Sequence, residues 1–233
     1  MEPKYVVEIV CLANSKKMSG RCVAGKVVSG PEKGKWVRPV SGRPNAEISE
    51  DDRRFKDGTY PKLGDVVRIP MKKPVPLDVQ PENQLIDDRF YWSKKAALSY
   101  KDLRALLDEV KGPLWENRSS STYGQYDRVV AARAAAAAKA FGGSLALVEV
   151  DDLIISVSVE GAQFNNAKRK VRGTFTVTGV SYTLGVTDVA IENAYLAKKD
   201  GAYKVGTAIL CISLAEVAYG DHNYKLLAAA HLP

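Results

Sequence analysis

Two polar stretches carry the residue types best suited to gripping an anionic chain. ANSKKMSGR (13–21) sets Asn14, Ser15, Lys16, Lys17 and Arg21 between the apolar runs YVVEIVCL and CVAGKVV. EGAQFNNAKRK (160–170) sets Asn165, Asn166, Lys168, Arg169 and Lys170 between SLALVEVDDLIISVS and VRGTFTVTGV. Lysines and arginines neutralise phosphates whatever the base sequence, and an asparagine amide hydrogen-bonds a base edge or a sugar. Turns also collect Asn, Ser, Gly and Lys for conformational reasons, and for either stretch alone that reading is favoured. Their recurrence at equivalent places in the chain shifts the balance toward binding.

Further candidates are aromatic or hydroxyl-bearing. In KWVRPV, Trp36 and Arg38 flank Val37 and so share one face of a strand. Phe175 and Tyr182 are their counterparts in the second half. A ring on which a base stacks contributes about 1–3 kcal/mol, although large rings more often fill a core. ENRSSSTYGQYDR adds Arg118, Ser119, Ser120, Ser121, Tyr123 and Arg128, whose guanidinium and hydroxyl groups suit phosphate contacts and helix capping equally. Asp188 and Glu192 stand one helical turn apart and could pair as acid and base, and Asp188 also reads as an N-cap.

Other chemistry is poorly supplied. Only His222 and His231 are present, so the usual parts of a histidine metal site or a serine-type triad are missing. Cys11, Cys22 and Cys211 are odd in number and match neither a disulfide framework nor a CxxC knuckle, so they read as reduced core residues. No catalytic set, cofactor or metal is assigned.

The elements that must position these residues read as strands. Tyr5, Val7, Ile9 and Cys11 alternate with polar or opposite-facing positions, and RCVAGKVV, KWVRPV, GDVVRIPM and NQLID follow, with a short helix expected in SGRPNAEISEDDRRFKDG. The second half repeats the plan. A long strand over 144–158 bends near Asp151 and Asp152. VRGTFTVTGV, VSYTLGV, a helix in TDVAIENAYL, VGTAILCISL and NYKLLAAAHL come after it. Strand, strand, strand, helix, strand, strand is the order of an OB-fold, with small Greek-key and SH3-like barrels as competitors. Between the halves, SYKDLRALLDEV predicts an amphipathic helix and DRVVAARAAAAAKAF an alanine-rich one closing at Gly142 and Gly143. The expected fold is mostly β with minor α: two OB-fold-like five-stranded barrels at 1–92 and 144–233, joined by a partly helical connector at 93–143.

The chain has 34 Lys and Arg against 27 Asp and Glu, a net charge of +7, which favours a polyanionic partner without identifying one. No apolar run reaches the length of a membrane span, and the first residues lack a leader pattern. A soluble, cytoplasmic protein without a membrane partner is expected.

The runs CLANSKKMSGRCVAGK, KWVRPVS, PENQLID, GPLWENRSSSTYGQYDR, YTLGVTD and AILCISLAE with YKLLAAA resemble the dual OB-domain family of prokaryotes, in order and over nearly the whole chain. The resemblance implies a nucleic-acid-binding or nucleic-acid-sensing role, with DNA or RNA as ligand. It also implies association with mobile-element and antiviral defence systems, whose other proteins would be partners. The chain departs from the family pattern at Gln80 and Pro81, where a histidine tends to precede Glu82 and Asn83, at Val189, and in AEVAYGDHN. Two other readings stand beside non-catalytic binding: a metal-independent enzyme acting on nucleic acid or a nucleotide, and an adaptor docking proteins on the connector helix.

Overall fold

The apolar runs of the first half build the first sheet and are buried on both faces over much of their length, Ile9, Val10, Cys11, Leu12 and Ala13 without a break. In the computed structural model, which describes residues 2–216 and 218–233, the chain forms two compact units, Met1–Leu106 and Leu107–Pro233. Val217, inside the departing stretch AEVAYGDHN, lies outside the described residues.

The first unit contains β1 (Tyr5–Lys17), β2 (Gly20–Val27), β3 (Trp36–Val40), α1 (Glu50–Arg53), β4 (Asp65–Pro74), β5 (Asn83–Ile86) and β6 (Ser93–Ala97). Its strands run in the order β1-β2-β3-β5-β4, and β4 pairs back onto β1, so five strands close a ring that β6 extends outside β4. β3 and β5 are parallel, Arg38 opposite Asn83, and all other neighbours are antiparallel. With α1 between the third and fourth strands, this is an OB barrel. Ile9, Cys11, Val23, Val37, Ile69, Met71, Ile86 and Trp92 fill it. A register shift between Cys11 and Ala13 bends β1 around the barrel.

The second unit repeats the ring with β8 (Leu145–Glu160), β9 (Lys168–Val177), β10 (Val180–Val186), α4 (Val189–Leu196), β11 (Gly201–Leu214) and β12 (His222–His231). The order is β8-β9-β10-β12-β11, with β11 paired to β8. β10 and β12 are again the parallel seam, but they pair only at Gly185–Leu226 and Val186–Leu227. Connector residues fill the remaining gap. Gln125 and Thr183 exchange two backbone hydrogen bonds of 3.1 Å, and β7 (Arg128–Val130) pairs with β12 at His222–Tyr224. The expected bend falls at Asp151 and Asp152, opposite two register shifts around Gly206 of β11.

Local signals place the helices well where nothing distant competes. α3 (Ala131–Phe141) ends at Gly142, which takes φ 92° and donates to Ala138 and Lys139, as the glycine pair predicts. Asp188 caps α4 through Ala190 N and Ile191 N. The helix expected in SYKDLRALLDEV is only α2 (Tyr100–Leu103) and one 3-10 turn, Arg104–Leu106. Ser99 and Asp102 form the capping box that starts it. Tertiary hydrogen bonds then end it: Leu106 O accepts from Lys26 Nζ at 2.7 Å, while Asp108 exchanges two hydrogen bonds of 2.8 Å with Leu147 N and O. ANSKKMSGR is likewise no open loop. Only Met18 and Ser19 lie outside β1 and β2, because Met18 adopts φ 49° and lets Lys17 pair with Gly20 in a tight hairpin.

Candidate nucleic-acid interface

On β9, Val171, Phe175 and Val177 are buried, so Lys168, Lys170, Arg172, Thr174 and Thr176 line the outer side. Thr174 faces Thr183 of β10 with their hydroxyls 3.0 Å apart, and Thr176 faces Ser181. Lys168 and Lys170 are exposed. Arg172 is held by a fork to Glu160 at 2.6 and 2.9 Å, with Asp127 at 3.5 Å. Burial disfavours its charge, but the hydrogen bonds and charge of Glu160, then Asp127, outweigh that and keep it firmly protonated. The outer β9–β10 face thus carries two unburied ammonium groups beside a row of hydroxyls.

The loop from β8 to β9 borders this face. Asn165 sits there at φ 53°, a left-handed conformation that asparagine tolerates, and Asn166 N closes the loop onto Gly161 O at 3.0 Å. Both side chains are exposed. Tyr123 braces the loop from the connector, donating its hydroxyl to Gln163 and accepting from Gly161 N. Phe164, at the tip, is 68% exposed. It was not among the sequence candidates; a lone ring in an otherwise polar loop is the signal that marks it.

Other candidates are committed elsewhere. Arg169 lies on the opposite side of β9 from Lys168 and Lys170, where it pairs with Asp200 and donates to Leu196 O and Lys198 O, satisfying the end of α4. Arg128 donates to Ser119, whose hydroxyl also meets His222. Ser120 accepts from Tyr126 N, and Ser121 binds Asp127 twice, so these serines organise their own loop. Arg118 is exposed, 3.9 Å from Glu116. Phe175 and Tyr182 do not form a base platform: both are buried and stack on each other at 6.0 Å, and the Tyr182 hydroxyl accepts from Leu114 N and Asn117 Nδ2. Asp188 has both carboxylate oxygens engaged, Oδ1 by the start of α4 and Oδ2 by Ala230 N at 3.2 Å, which leaves capping as its role.

In the first barrel the hairpin end carries Lys16 directly opposite Arg21. Arg53 adds a third cation. Its guanidinium lies over the Tyr60 ring at 4.6 Å, and its pKa is depressed first by burial and then by the charge of Arg21. Lys16 is exposed and Lys17 half-buried, whereas Asn14 donates to Pro61 O at 3.0 Å and Ser15 is buried against Cys22 O. Trp36 is half-buried, with Lys26 Nζ 5.2 Å from its ring. Arg38 shares its side of β3, but is buried and paired with Glu82, so its charge does not make that face wet.

Among the described residues, no group of His, Cys, Asp and Glu is arranged to hold a metal, and no helix is long and apolar enough to cross a membrane. No curated protein and no solved structure matches the chain. The dual OB-containing domain matches residues 7–230, in agreement with the two rings of like strand order. The chain therefore belongs to the dual OB-containing domain family.

Proposed function

We propose that this protein binds single-stranded nucleic acid, DNA or RNA, without catalysis, on the outer β9–β10 face of its second barrel. The observation that supports this most is Lys168 and Lys170 exposed on one side of β9, with Phe164 exposed in the adjoining loop. In OB-folds the second and third strands and the loop between the first and second strands are the usual ligand surface, and here those elements carry cations, hydroxyls and a ring. The lysines track phosphates, and Phe164 stacks a base irrespective of its identity.

Anisotropy of labelled 12-nucleotide strands, titrated over a range of salt, tests the reading. Two phosphate contacts give a slope of roughly −1.4 in log K against log salt. The variant Lys168→Glu with Lys170→Glu abolishes binding, and Phe164→Ala weakens it by about tenfold or more. Binding that is absent at low salt, or that survives the double charge reversal, overturns the proposal. A nucleic-acid-sensing role in prokaryotic antiviral defence is the wider setting we propose, supported by the resemblance of the motifs. Co-purification of defence proteins with the chain from a prokaryotic host, dependent on nucleic acid, checks it.

A further inference from the structure

The outer surface of the second barrel continues past β9 onto β8 and β11. Leu153, Ile155 and Val157 of β8 are buried, and a Cβ added at Gly173, opposite Ile155, would meet the Leu227 and Ile155 side chains on the inner side. The alternate positions Ile154, Ser156 and Ser158 therefore face outward. Ser158 stands opposite Lys170 of β9, and on the other side of β8, Ile154 stands opposite Lys204 of β11. Residues directly opposite each other share a face, so Lys170 and Lys204 belong to one surface. Lys204 is exposed, and its ammonium group has no partner among the described residues. The Ser156 and Ser158 hydroxyls likewise make no hydrogen bond among the described residues.

Three routes lead away from Lys168 and Lys170, and they differ in what they meet. Along β9 the route ends at the β8 bend, where Asp151 is exposed and Asp152 Oδ1 accepts from Thr176 N at 3.0 Å. Toward β10 the connector lies against the face, its Asp127 within 3.5 Å of Arg172, which stands opposite Gly185. Across β8 the route passes two free hydroxyls and the 38% exposed Ile154 and arrives at the Lys204 ammonium. Asp200, before the start of β11, is already matched by Arg169 at 2.8 Å. A polyanion is thus repelled on the first route, obstructed on the second and attracted on the third.

We propose that a single strand held at Lys168 and Lys170 crosses β8 and reaches β11, where Lys204 binds a further phosphate; this rests on the reading of the β9 face as a strand-binding surface. Ser156 and Ser158 donate to the strand between the two cationic points, and Ile154 lies under a sugar or a base. The β8 partners of Lys170 and Lys204, Ser158 and Ile154, are four residues apart, which sets the two lysines about 16 Å from each other by regular sheet spacing. A strand of a few nucleotides spans that distance. The strand therefore runs across the sheet, not along β9.

Salt titration of a labelled 12-nucleotide strand on the full chain, read by anisotropy, tests the crossing. A third phosphate contact steepens the slope of log K against log salt to about −2.1, where Lys168 and Lys170 alone give about −1.4. Lys204→Gln is expected to return the slope to about −1.4, and Lys204→Glu to weaken binding by about tenfold or more at low salt. Lys139→Gln, at an exposed lysine of α3, changes neither. Strands carrying a diazirine at one sugar at a time map the path, with label expected on residues 154–158 and 201–204. The crossing is overturned, and binding at β9 kept, if binding depends on Lys168 and Lys170 but Lys204→Gln leaves the slope unchanged, or if the label falls on residues 176–181 instead. Binding that is absent at low salt, or indifferent to Lys168→Glu with Lys170→Glu, overturns both readings.

Discussion

Arg38 and Glu82 form a buried ion pair across the parallel seam of the first barrel. Arg38 Nη2 and Nε lie 3.0 and 3.2 Å from Glu82 Oε1, and the side chains are 2% and 6% exposed. Arg38 N also donates to Glu82 O, and Nη1 reaches Cys22 Sγ at 2.9 Å. Burial works against the guanidinium, but Cys22 and Glu82 prevail and raise its pKa. One side chain thus joins β2, β3 and the start of β5. Glu82→Ala leaves a buried, uncompensated arginine and is expected to cost about 3–5 kcal/mol in urea unfolding. The double variant Arg38→Met, Glu82→Leu recovers most of that. A single variant as stable as the parent contradicts this role.

Gly25 is required by close approach. A Cβ there would stand 2.0 Å from Val10 O and 2.9 Å from Val10 C, both backbone atoms that cannot move without parting β1 from β2. Gly25→Ala is expected to destabilise by about 4 kcal/mol, whereas a surface change such as Gly42→Ala stays within about 0.5 kcal/mol. Gly42 has nothing within 4 Å of an added Cβ, so it serves as the control. Thermal denaturation of the two variants compares them directly.

Lys225 makes stability depend on pH. It is fully buried, donating to Glu116 O at 2.6 Å and Asn117 Oδ1 at 3.1 Å. Burial brings its pKa down from the ordinary 10.5 to about 7, against the opposing charges of Asp127 and Glu116. Between these values the unfolded chain binds one more proton than the folded one, so stability rises with pH, by up to about 1.4 kcal/mol per unit. Below about pH 7 both states are charged and the burial cost is felt in full. The melting temperature of the parent should gain on that of Lys225→Met from about pH 7 to about pH 9. Parallel profiles would falsify the assignment.

Thiol labelling should follow burial. Cys11 and Cys211 are fully buried, and Cys11 is pushed up to about 12, chiefly by burial and then by the charge of Asp65. Iodoacetamide at neutral pH is expected to leave both unmodified in the native protein and to modify all three cysteines in urea. Mass spectrometry after digestion reads the result. Native labelling of Cys11 at the rate seen in urea would contradict the barrel core described above.

Features settled by a few neighbouring residues were legible in the chain itself. The alternation of Ile9 and Cys11, the glycine stop after the alanine run, the Asp188 cap and the doubled strand order all appear in the structure. Each depends on local geometry: a strand's period of two, a left-handed glycine, or a carboxylate beside free N–H groups. Which side of an element meets water was not legible, because distant residues choose it. Arg38 is buried by Glu82, 44 positions away, and Lys26 is tied to Leu106 O, 80 positions away. Arg169 looks the same in sequence as Lys168 and Lys170, yet it alone turns to the end of α4, 27 positions on. The cations and amides of ANSKKMSGR and EGAQFNNAKRK were visible as composition. Folding sorted them: Ser15 was buried, Arg169 was spent on a helix end, and Lys168 and Lys170 stayed beside an exposed Phe164. A charge becomes available to a ligand only where no partner from elsewhere in the chain reaches it first.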